Sequence, residues 1–140
     1  MNRVLSIDYG EKRIGLAISD LLKIIAKPFE TIIYTNDKDL INSLLKIIKE
    51  QKINQVVVGL PLTFKGEHSE QTKKVLVFID LLKNELNVPI VSYDERLSSV
   101  SAKKSLITQG VKTGYSKSEV DKTAAAIFLQ SYLDSNAIKK

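Results

Sequence analysis

Val4-Leu5-Ser6-Ile7-Asp8-Tyr9-Gly10 is the stretch on which the reading of this chain turns. A run rich in β-branched and apolar residues predicts a largely buried strand over Val4 to Tyr9. Asp8 sits inside that run. A buried carboxylate without a partner costs on the order of several kcal/mol, so Asp8 requires an arginine, a set of hydrogen-bond donors or a metal ion. Gly10-Glu11-Lys12 supplies a turn. Arg13 to Ser19 then alternates, with Ile14, Leu16 and Ile18 on one face and Gly15, Ala17 and Ser19 on the other. That period of two predicts a second strand, paired antiparallel with the first. The face of small side chains leaves room for a ligand or for a closely packed helix.

Further along, Asp20 ends the second strand as a turn or cap residue, and Pro28 precedes a third strand over Phe29 to Tyr34. Asn36 or Asp37 caps a helix running to Gln51, with Leu40, Ile41, Leu44, Leu45 and Ile48 as its core face. The valine run in Gln55 to Gly59 predicts a strand covered on both sides, as in a parallel sheet. The loop from Gly59 to Gly66 then lies at the carboxyl end of that strand, where open α/β sheets place their ligands. A helix over Ser69 to Leu86 buries Val75, Phe78, Ile79, Leu82 and Leu86. A short strand over Ile90 to Tyr93 leads into Asp94-Glu95-Arg96. A helix over Ser98 to Gln109 stops at Gly110, a loop spans Val111 to Ser116, and a last helix runs from Lys117 to Leu133, followed by a frayed Lys139-Lys140 tail. The expected fold is a single α/β domain over residues 1–140 with a mixed sheet.

Composition narrows the chemistry. The chain has 140 residues, 44% hydrophobic and 26% charged, with a formal net charge of +5. Such a basic balance favours an anionic partner such as nucleic acid without requiring one. There is no cysteine and one histidine, which excludes disulfides, thiolate metal sites, a cysteine nucleophile and a His-rich zinc site. Any metal has to be held by oxygen, which suits Mg²⁺ or Mn²⁺. His68, in a charged loop, is expected to be exposed, so no Ser-His-Asp set is available. No apolar run approaches the ~20 residues that span a bilayer, and Met1-Asn2-Arg3 leads directly into a strand, so a cytoplasmic protein is expected.

Three carboxylates stand out: Asp8, Glu95 beside Asp94, and Asp121. On a helical wheel Asp121 begins the stripe that continues through Ala124, Ala125, Phe128 and Tyr132. Each has a purely structural alternative. Asp121 could cap a helix, since Ser116-Lys117-Ser118-Glu119 matches a capping box and Ser118 with Asp121 matches another. Asp94-Glu95-Arg96 could be a strand-end ion pair, and Asp8 could bridge to Arg13 or Arg96. Were the three to converge, their mutual repulsion would require compensation by cations. Two such ions roughly 4 Å apart can activate a water and stabilise a leaving oxygen in phosphodiester hydrolysis.

Taken in order, Ser6-Ile7-Asp8-Tyr9-Gly10 with Lys12-Arg13-Ile14-Gly15 and Ala17, then Val58-Gly59-Leu60-Pro61-Leu62, Asp94-Glu95-Arg96-Leu97, and Asp121 with Ala124-Ala125-Ala126, Leu129-Gln130 and Tyr132-Leu133-Asp134 form a pattern. The pattern resembles the YqgF family, also called RuvX, assigned as pre-16S rRNA nucleases and related to Holliday-junction resolvases. The resemblance covers nearly the whole chain. It implies a ribonuclease H-like fold with a five-stranded mixed sheet flanked by helices. It also implies a Mg²⁺- or Mn²⁺-dependent nuclease that matures the 5′ end of 16S rRNA, and Asp8, Glu95 and Asp121 as the catalytic, metal-binding acids. Strand alternation lets only one of Asp94 and Glu95 reach such a site. Lys12, Arg13, Arg96 and the loop from Gly59 to Gly66 are the candidates for holding phosphates. The expected partner is nucleic acid, precursor rRNA ahead of a DNA junction, with the ribosome as a further partner and a monomer or homodimer as the assembly. Two departures from the family pattern are Ser98-Ser99 in place of two threonines and a less basic loop over Lys112 to Ser118.

Three other functions compete. Asp8-Tyr9-Gly10 before a glycine-containing hairpin also resembles the first phosphate loop of actin-like ATPases, although those close two such domains around the nucleotide. A non-catalytic RNA-binding assembly factor would fit the charge equally well. A Holliday-junction resolvase would need the same acids.

Overall fold

The computed structural model describes residues 2–63, 65–98 and 117–139, with side chains over 120–136 in the last segment. Its strands are β1 (Arg3–Asp8), β2 (Arg13–Ser19), β3 (Ala26–Ile33), β4 (Ile53–Leu60) and β5 (Ile90–Asp94). Among these residues the helices are α1 (Asp37–Glu50), α2 (Glu70–Glu85) and α3 (Lys117–Lys139), and a 3-10 turn spans Glu95–Leu97. The expected helix over Ser98 to Gln109, its Gly110 stop, the loop to Ser116 and the Ser116-to-Glu119 capping box fall outside the described residues and side chains.

The strands form one five-stranded sheet in the order β3-β2-β1-β4-β5. β1–β2 and β2–β3 pair antiparallel, while β1–β4 and β4–β5 pair parallel. This is the mixed sheet expected from a hairpin followed by helix-then-strand units. β1 and β4 are paired on both edges and covered on both faces, which is why Val4, Leu5 and Ile7 of β1 and Val56, Val57 and Val58 of β4 are all buried.

Alternation along β1 divides the core in two. Leu5 and Ile7 face α1 and α2, joined by Ile14, Leu16, Val56, Val58, Phe78 and Leu82. Val4 faces α3, joined by Ala17, Val57, Tyr93, Ala124, Ala125, Phe128 and Leu129. Ser6 lies on the α3 side as well, where its hydroxyl donates to the Ala125 carbonyl at 2.9 Å. The small face of β2 is therefore occupied by a packed helix.

The helices begin where their caps place them. Asn36 accepts from the Asp39 amide and starts α1. Ser69 and Thr72 form a reciprocal capping box on α2, satisfying amides that have no partner within the helix.

Three expectations shift. β3 begins at Ala26, so Pro28 lies within the strand rather than before it. Its register slips between Leu16 and Ala17 of β2, placing Pro28 at an irregularity on an edge strand, where a residue without an N–H is tolerated. On α1 the buried residue is Ile47 rather than Leu45, which is exposed. The last helix continues to Lys139 instead of ending at Leu133. In the sheet, β4 separates β1 from β5. Among the described residues no helix is long and apolar enough to cross a membrane.

Candidate active site

Asp8 is the last residue of β1 and only 7% exposed. By the alternation that sends Ile7 toward α1 and α2, it faces α3. Its neighbours across the sheet carry no side chain. Gly15 stands opposite it on β2. On the other side Ile7 pairs with Val58, so the next step along β4 brings Gly59 alongside.

These two gaps organise the site. A Cβ on Gly15 would lie 2.2 Å from the Asp121 carbonyl carbon and 2.3 Å from its oxygen. The backbone of α3 at Asp121 therefore passes directly over Gly15. A Cβ on Gly59 would lie 2.8 Å from Cε2 of Phe128 and 3.2 Å from Oε1 of Glu95. One gap beside Asp8 thus admits the helix segment carrying Asp121, and the other admits Phe128 and the Glu95 carboxylate.

Glu95 opens the 3-10 turn after β5 and is 7% exposed. Its neighbour Asp94 points elsewhere. Asp94 accepts from the Arg96 amide at 2.9 Å and meets the guanidinium at Nε and Nη2, the latter at 2.6 Å. Arg96 beside it holds the Asp94 carboxyl below its ordinary value. Of the two adjacent acids, Glu95 is the buried one on the α3 side, and Asp94 is engaged with Arg96.

Asp121 does not act as a cap, since it is the fifth residue of α3. Its Oδ2 accepts from Arg13 Nε at 2.7 Å, and the two side chains are 24% and 33% exposed. The pair borders an open cleft of about 420 Å³ lined also by Gly10, Glu11 and Lys12. The structure brings Asp8, Glu95 and Asp121 to one end of the sheet on one face. It does not close them into a ligand set: among the described residues, no three His, Asp or Glu side chains are grouped to hold a metal ion. In chemistry the donors fit a hard divalent cation, being carboxylates alone.

The remaining candidates are placed as follows. Lys12 is exposed at the cleft. Arg96 lies under the loop after β4, where a Cβ on Gly66 would sit 3.4 Å from its Nη1. Gly66 itself has φ +77, a conformation that favours glycine. His68 is exposed as expected.

A set of supports around the Gly10-to-Lys12 turn was not legible in the sequence. The Tyr34 hydroxyl donates to the Gly10 carbonyl at 2.6 Å, and the Tyr34 amide donates to the Lys12 carbonyl at 3.1 Å. Burial pushes the Tyr34 phenol above its usual range. Lys74 on α2 pairs with Glu11, and Tyr9 packs on Phe78 with ring centroids 4.6 Å apart. The turn at the cleft is thereby tied to β3 and α2. No local pattern announces contacts between residues this far apart in the chain.

Comparison with known proteins agrees with this architecture. The chain matches the family described as "RuvX: Holliday junction resolvase" over residues 2–135. It is 44% identical over 131 residues to a protein of Chloroflexus aggregans named "Putative pre-16S rRNA nuclease", covering 94% of this chain and 92% of that one. It is 43% identical over 136 residues to a Desulforamulus reducens protein of the same name, covering 96% and 98%. Among solved structures, the RuvC of T. thermophilus in complex with a Holliday junction substrate shares the fold, with a TM-score of 0.59, 16% identity and coverage of 98% and 96%. A Fowlpox virus resolvase bound to Holliday junction DNA superposes with a TM-score of 0.51 at 18% identity, covering 96% and 98%.

Proposed function

Because this chain belongs to the RuvX family, we propose that it is a nuclease that hydrolyses phosphodiester bonds with the help of a divalent metal ion, acting on precursor 16S rRNA. The observation that carries the reading is the 44% identity, over nearly the full length of both chains, to the relative named "Putative pre-16S rRNA nuclease". The site supports it in a second way. Asp8 and Glu95 are buried acids flanking the side-chain-free position Gly59, and buried carboxylates are tolerated where cations offset them.

In this reading Asp8, Glu95 and Asp121 hold Mg²⁺ or Mn²⁺. Such an ion supplies a Lewis acid that offsets negative charge on a phosphodiester and eases deprotonation of water. Asp94 takes no part, since it is engaged with Arg96. Lys12, at the cleft with Arg13 and Asp121, meets the phosphate backbone of the substrate. Burial of Asp8 and Glu95 fixes their orientation and limits the water that can screen them.

The test is cleavage of a precursor 16S rRNA fragment with Mn²⁺, with chelator, and by Asp8→Asn. Cleavage by the wild type alone, abolished by chelator and by the variant, is the expected result. Equal binding of the fragment by both proteins with cleavage by neither would leave an RNA-binding module, and cleavage confined to a DNA junction would change the substrate.

A further inference from the structure

The contact between Arg13 and Asp121 joins the first residue of β2 to α3, with Nε and Oδ2 2.7 Å apart. Both side chains are partly solvated at the rim of the cleft, and ion pairs in such positions contribute little to stability. Their main consequence is to decide what the Asp121 carboxylate faces. The Asp121 backbone is fixed, because α3 lies against Gly15 with no space between. Only the side chain is left to turn.

We propose that Arg13 is an internal counter-ion that occupies Asp121 while no cation is bound, and that a divalent cation completes its own site by displacing the guanidinium from that carboxylate. The proposal rests on the reading of Asp121 as one of the acids that hold metal. It accounts for why, among the described residues, the acids gathered at one end of the sheet do not stand grouped as a ligand set. Guanidinium and cation compete for one carboxylate. The apparent affinity for the cation is therefore reduced by the fraction of molecules in which Asp121 is released. Arg13 acts through Asp121 and is a positioning residue.

The experiment is titration of the full chain with Mn²⁺ in the absence of nucleic acid, with free Mn²⁺ read by electron paramagnetic resonance. Arg13→Gln removes the charge and keeps a shorter polar side chain, and Arg13→Ala removes the polar group as well. Each is expected to bind Mn²⁺ about tenfold more tightly than the wild type, with Arg13→Lys close to the wild type. In an Asp121→Asn background, Arg13→Gln is expected to give no gain. Equal or weaker binding by Arg13→Gln and Arg13→Ala, with wild-type binding intact, would overturn the counter-ion role alone. A wild type that binds no Mn²⁺ would overturn the metal-holding reading and the proposal with it.

Discussion

Asp8 shows how far one residue can be read from its neighbours. An acid within an apolar strand signals either a partner or a function, and its burial follows from the pattern alone. Glu95 was less legible, because alternation separates it from Asp94 without saying which of the two turns inward, and the structure buries Glu95 and puts Asp94 on Arg96. The Arg13–Asp121 pair was not. It spans 108 positions in the chain, and neither residue's surroundings name the other. The sequence offers Arg13 or Arg96 as a structural partner for Asp8, and does not point to the contact between Arg13 and the carboxylate that the helix over Gly15 delivers. At Asp8 the account expects Asp8→Asn to leave the metal-free protein at least as heat-stable as the wild type, because the change removes a buried negative charge while keeping the shape. A thermal melt in chelator reads this directly. A large drop in the melting temperature would assign Asp8 to a structural ion pair instead.

At the level of elements, β2 was placed to the residue, since a strict alternation bounded by turn residues leaves little freedom. β3 departs further from its sequence pattern, because a proline that reads as a boundary lies inside an edge strand that absorbs it. The small face of β2 carried two readings, and packing decided for the helix. Gly15→Ala is expected to cost about 3 kcal/mol, since the added carbon meets α3 backbone that cannot step aside. Gly59→Ala, which meets the Phe128 and Glu95 side chains, is expected to cost less, as denaturant melts of the two variants would show. The turn from β2 to β3 gives a pH prediction. The Asp20 carboxylate accepts the Ile24 and Ile25 amides, at 2.7 and 3.1 Å, around Lys23 at φ 58. Those bonds hold its pKa below the ordinary 3.8. A depressed value means that the turn's support is complete above 3.8 and is lost as the pH falls through the lower, folded value. The Ile24 and Ile25 amide shifts in a nuclear magnetic resonance titration should move with a midpoint below 3.8, and a midpoint at or above it would contradict the assignment.

For the molecule as a whole, order of elements and charge balance were readable early. A hairpin followed by helix-then-strand units admits few sheet topologies, and the observed order β3-β2-β1-β4-β5 is one of them. What could not be read is how α3 closes over the sheet, because that depends on glycines on two different strands meeting one helix. The same closure makes the account testable in one step. A crystal of the protein soaked in Mn²⁺ and measured for anomalous scattering should show density between Asp8 and Glu95, with Asp121 turned from Arg13 to join them. Mn²⁺ bound elsewhere, or Asp121 still on Arg13 with no density beside Asp8, would contradict the central claim that these acids form the metal centre.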